Sequence, residues 1–126
     1  MKRIFHVVAL TTTLTLGGQA VLAQDLAKGW EAYKQDDYAA ALLEVRPLAE
    51  QGYAPAQFIL GMMYFLGRGL IQDNVYAHMW FNIAASFGDE EGATYRDIVS
   101  ERMTPADLSE AQKLARECVA KNYKGC

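Results

Sequence analysis

Residues 54–88 read Ala-Pro-Ala-Gln-Phe-Ile-Leu-Gly-Met-Met-Tyr-Phe-Leu-Gly-Arg-Gly-Leu-Ile-Gln-Asp-Asn-Val-Tyr-Ala-His-Met-Trp-Phe-Asn-Ile-Ala-Ala-Ser-Phe-Gly. Two apolar helical patterns meet here across a glycine-punctuated loop, so the stretch predicts a helix hairpin. Pro55 suits the first turn of the opening helix. Ala56, Leu60, Met63 and Tyr64 form one stripe along it, and Phe58, Met62 and Phe65 form another roughly opposite. A helix apolar on two sides is expected to have neighbours on two sides. Gly67 and Gly69 end it, and Asp73 or Asn74 caps a return helix over Val75–Phe87, closed by Gly88. The Gly-x-Gly pair lacks the preceding strand and following lysine of a phosphate loop, so these glycines read as turn residues.

Flanking segments repeat the pattern. Upstream, Leu26, Trp30 and Tyr33 predict a helix over Leu26–Lys34, and Asp37 caps another over Tyr38–Glu50, with Pro47 expected to kink it and Gly52 to close it. Ala41, Ala49 and Gly52 align with Ala77, Ala85 and Gly88 at a constant offset of 36 residues, while Tyr33 aligns with Tyr64 at 31. Downstream, a helix over Glu90–Arg102 carries Ala93, Tyr95, Ile98 and Val99. Thr104-Pro105-Ala106-Asp107 then opens a last helix with cap, first-turn proline and acidic residue in order. Paired helices with a period in the mid-thirties predict an all-α fold, an α/α superhelix (solenoid) of about three hairpins.

The 126 residues allow one folded domain, and the first of them read as a secretory leader. Met1-Lys2-Arg3 is a positive start, Ile4–Leu16 an apolar run and Val21-Leu22-Ala23 a cleavage site before Gln24. The alternatives are a membrane anchor or a folded first helix; the run is shorter than the ~20 residues a bilayer requires, and Gly17-Gly18-Gln19 interrupts it. The expected division is therefore a signal peptide at 1–23 and a repeat domain at 24–126, periplasmic or secreted, with no membrane insertion after cleavage. Losing Lys2 and Arg3 leaves ten basic residues against fifteen acidic ones, a net charge of −5. Such a chain has no electrostatic reason to bind nucleic acid or an anionic membrane.

The two cysteines, Cys118 and Cys126, read as a disulfide in an exported chain, the alternative being two unpaired thiols. On one continuous helix they would stand ~12 Å apart, beyond the 4.4–6.8 Å a disulfide allows, so the helix must stop first, with Asn122 and Gly125 as suitable exits. A metal site would need more soft ligands, and no cofactor or metal motif is visible. Catalysis has equally little support. His78, the one histidine after the leader, lies on a nearly all-apolar helix beside Trp80 and reads as a hydrogen-bonded structural residue. Ser86, Ser100 and Ser109 show no nucleophile motif, and Glu90-Glu91 serve the helix dipole. His78, Asn82 and Ser86 share one narrow face, and Asn82 is expected to join Arg96 and Asp97 in a hydrogen-bond network.

Ala56-Gln57, Leu60-Gly61, Tyr64, Gly67-x-Gly69, Asp73, Ala77, Trp80, Ala84-Ala85 and Gly88 together resemble a Sel-one-like repeat (SLR), a branch of the tetratricopeptide-like helical repeats. Met79–Ala85, with Arg96-Asp97 and Met103-Thr104-Pro105, looks like a common bacterial exported version. The resemblance implies a scaffold for protein–protein contacts whose first helices line a concave side. The expected function is thus an exported adaptor that binds a protein or peptide through an aromatic-rich surface, with Trp30, Tyr33, Phe58, Met62 and Phe65 as candidate contacts. A use in helix packing is the competing reading for the last three. Two other functions stand beside it: an inhibitor or immunity protein against a toxin or hydrolase, and, by family analogy alone, an enzyme acting on cell-wall or β-lactam compounds.

Overall fold

The computed structural model describes residues 16–126. Within them the chain forms six helices: α1 (Leu16–Lys34), α2 (Tyr38–Glu50), α3 (Ala54–Leu66), α4 (Asn74–Ser86), α5 (Glu90–Ser100) and α6 (Pro105–Ala120). Helices α1–α2 and α3–α4 pair as the expected hairpins, whereas α5 and α6 do not form a packed third one, because both lie against α4 rather than against each other. Close packing runs from α1 to α2, α2 to α3 and α3 to α4, and α4 then receives both α5 and α6.

The expected caps are in place, and each answers a need of the backbone for partners at a helix start. Asp37 accepts from the Ala40 amide and Asp73 from Val75 and Tyr76, and Asp89, not among the expected caps, accepts from Gly92 in the same way. Thr104 and Asp107 form a reciprocal capping box. Gly67 ends α3 in left-handed geometry, φ +66°, where a side chain would be strained.

Three boundaries differ from the sequence expectation. Helix α1 starts at Leu16, ten residues before Leu26, and so runs through the expected cleavage site at Ala23. Residues 1–15, the rest of the expected leader, lie outside the described residues. Pro47 does not interrupt α2: it is exposed, and its carbonyl still accepts from Gln51 at 3.1 Å. Helix α5 ends at Ser100, two residues early, because the Arg102 and Met103 amides turn back to Val99 and Ser100.

The two stripes of α3 separate as their periodicity requires. Ala56, Leu60 and Met63 enter the main core with Ala41, Val45 and Leu48 of α2, Met79, Trp80 and Ile83 of α4, and Ala115 and Cys118 of α6. Met62 and Phe65 pack instead around a smaller cluster of Ala77, Phe81 and Val99, with Tyr95 and Met103, and Phe58 touches both clusters. After α6 the backbone leaves helical geometry through Asn122 (φ 53°), Tyr123 (φ 66°) and Gly125 (φ 69°). This brings Cys126 back to Cys118, Cα to Cα 5.6 Å, in a disulfide.

Candidate functional site

The first helices of the hairpins leave a groove between them. Its inner part, a hollow of about 430 Å³, is lined by Trp30 and Tyr33 of α1, Phe58, Ile59 and Met62 of α3, and Glu91 and Tyr95 of α5. It opens into a second hollow of about 490 Å³ bordered by Ala23, Leu26, Ala27, Trp30, Pro55, Phe58, Ile59, Asp89 and Glu91.

The walls are built by local sequence. On α1, Trp30 and Tyr33 are three residues apart and so fall on one face, their rings stacked with centroids 5.3 Å apart and planes within 7°. Trp30 is 46% exposed, a large apolar side chain without a full complement of neighbours. The Tyr33 hydroxyl accepts from Arg68 Nη1 at 2.7 Å, and the guanidinium lies over the Tyr33 and Tyr38 rings at 5.4 and 5.7 Å. That bond ties the α3–α4 loop to the α1 wall and raises the guanidinium's pKa. Across the groove, Phe58 meets Tyr95 edge-on at 5.5 Å, joining α3 to α5. The lining contains two carboxylates, Asp89 and Glu91, and neither lysine nor arginine.

Four of the five sequence-derived candidates, Trp30, Tyr33, Phe58 and Met62, thus line one groove. Phe65 is placed elsewhere. It packs against Phe81 and Tyr95, both at 6.4 Å, and the Arg102 guanidinium lies 5.1 Å from its ring centre. One turn beyond Met62 and two beyond Phe58, it meets the α4–α5 layer.

Tyr95 and Glu91 escaped sequence reasoning, though a cue exists for the first. The 31-residue step from Tyr33 to Tyr64, taken once more, lands on Tyr95. For Glu91 there is no such cue, since a first-turn acid is explained by the dipole alone.

Two expected polar arrangements differ in the structure. Asn82 does not join Arg96 and Asp97: Arg96 Nε donates to its own neighbour Asp97 at 3.0 Å, and Asn82 borders a separate cleft with Gln112 and Arg116 of α6. The cause is the position of α6, which packs on the side of α4 that carries Asn82. His78 is buried as expected, yet its Nδ1 has no hydrogen-bond partner. Burial first, and Arg96 second, hold its pKa below the ordinary value, with Asp97 opposing. Among the described residues no three His, Cys, Asp or Glu side chains converge in a way that could hold a metal ion.

No family model matches the chain, and no curated protein does. Among solved structures, the fold is similar to that of a protective antigen present in uropathogenic Escherichia coli strains, which displays an SLR fold. The TM-score is 0.73 at 26% identity, over 85% of this chain. This chain is an SLR-like helical repeat. The SLR-like chain matches 25% of the antigen's length. The match therefore covers most of the six-helix stack and a quarter of the antigen.

Proposed function

We propose that this SLR-like protein is an exported adaptor that binds a protein or peptide along the groove between α1, α3 and α5. The observation that carries the reading is the aromatic lining of that groove, above all the half-exposed Trp30 wall, which the described residues leave open. Aromatic and methionine side chains give much contact area for little lost conformational freedom. The export reading rests on the leader-like 1–23 segment, supported by the Cys118–Cys126 disulfide, which persists in oxidising compartments. Among the described residues no helix is long and apolar enough to cross a membrane. A binding role is favoured over catalysis because His78 is buried away from the groove lining and no base–nucleophile pair borders it.

The test is site-specific photocrosslinking in intact cells. A crosslinker at position 30 should capture a defined partner, and one at position 43, where Leu43 is exposed on α2 outside the groove lining, should not. Equal capture at both positions, or capture at a groove position such as 27 that survives Trp30→Ala, overturns the assigned face.

A further inference from the structure

Both hollows of the groove are lined by the same four residues, Trp30, Phe58, Ile59 and Glu91. These form its waist, and three of them are apolar. The fourth is an acid with no counter-ion: no ion pair among the described residues involves Glu91. The other lining carboxylate is committed, since Asp89 caps α5 by accepting from the Gly92 amide. The cation that touches the groove wall is committed as well, since Arg68 is held by the Tyr33 hydroxyl.

The helix dipole accounts for an acid in the first turn of α5, but Glu90 already supplies one. It does not account for an acid where the two aromatic-lined hollows adjoin. The physical consequence lies in desolvation. A wholly apolar segment laid through the groove would strip water from the Glu91 carboxylate and leave it unpaired, which opposes binding. A cationic side chain removes that cost. It gains twice, from the opposite charge in a site where water is displaced and from the electron-rich faces of Trp30 and Phe58.

Building on the groove-binding reading above, we propose that the waist receives a lysine or arginine side chain of the bound peptide, paired with Glu91 and lying against Trp30 and Phe58. Apolar residues of that peptide occupy the two hollows on either side. The partner segment is therefore basic at one position and apolar around it.

Four acetylated and amidated eleven-residue peptides of leucine and glutamine, differing only in a central Arg, Lys, Gln or Glu, provide the probe. They are fluorescently labelled and titrated with the full chain, and anisotropy is read. The Arg and Lys peptides should bind about tenfold tighter than the Gln peptide, the scale of one good charge contact, with the Glu peptide weakest. Glu91→Gln should bring the Arg peptide to within about twofold of the Gln peptide without weakening the Gln peptide, which no longer has a carboxylate to desolvate. Equal binding of Arg and Gln peptides, both lost in Trp30→Ala, overturns the cation site while the groove stands. An Arg preference that survives Glu91→Gln also overturns it, since the preference would then reflect overall acidity. Absence of binding by all four, or binding indifferent to Trp30→Ala, overturns the groove and the cation site together.

Discussion

A carbon added at Gly61 would stand 2.6 Å from the Phe81 ring, and one at Gly92 would stand 3.0 Å from the Phe81 carbonyl oxygen. These two glycines, 31 residues apart in sequence, let α3 and α5 close on the same residue of α4. A single methyl at Gly61 therefore has to displace a fully buried aromatic ring, and Gly61→Ala should destabilise by about 1–3 kcal/mol in urea denaturation. His78 makes a second prediction at this scale. The folded state binds its proton more weakly than the unfolded chain does, so its contribution to stability is complete above the unfolded pKa. It is lost as pH falls from there through the lowered folded value. Between pH 7.5 and 5.5 the unfolding free energy from urea denaturation should decline, by at most about 1.4 kcal/mol per pH unit from this one proton. His78→Gln should flatten that slope whatever its absolute stability, and an unchanged slope excludes His78 as its source. That His78 is buried was legible, because its helix is apolar almost all round. Its missing Nδ1 partner was not, because partners come from other elements.

At the scale of elements, capping was the most legible feature. Asp37, Asp73 and Thr104 act on amides two or three residues away, so tertiary structure need not be known to place them. The first helix was less legible, since the helical periodicity that marks Leu26–Lys34 does not extend back through Gly17-Gly18-Gln19. The C-terminal staple combines both kinds of information. Its disulfide fastens the turn at 122–125, and the turn in turn places the Tyr123 ring against Phe87 of the α4–α5 junction (5.8 Å) and beside Gly52. Cys126→Ser should cost about 2–3 kcal/mol in the chain-entropy account of so small a loop. Reduction of the wild type should have the same effect, and amide exchange should rise over 121–126 while α3 and α4 stay protected. Equal loss of protection throughout would show instead that the staple supports the whole stack.

For the whole molecule, packing runs mainly between consecutive helices as far as α5, so that part of the architecture follows from the repeat, whereas α6 passes over α5 to lie on α4. The same logic tests the leader. A chain beginning at Gln24 keeps Trp30 and Tyr33 on α1, and loses Leu22 from the edge of the core and Ala23 from the groove mouth. Purified without residues 1–23, it should retain its helical circular dichroism and the disulfide, with stability lowered by about 1 kcal/mol for one half-buried leucine. Collapse of the fold would mean that residues 16–23 belong to the domain rather than to a removable leader.

The sequence by itself determined the helices, their caps and their order in the stack, because these depend on periodicity and on hydrogen bonds between residues a few positions apart. The main core followed too, since Leu60, Met63 and Trp80 lie on stripes that only burial satisfies. Tertiary structure alone decided which aromatic residues stay open. Phe58, Met62 and Phe65 share one stripe and all pack against the Phe81–Val99 cluster, yet only Phe58 and Met62 also border the groove. It also set Glu91 opposite Trp30 across that groove, a juxtaposition of residues sixty-one positions apart that no local pattern encodes.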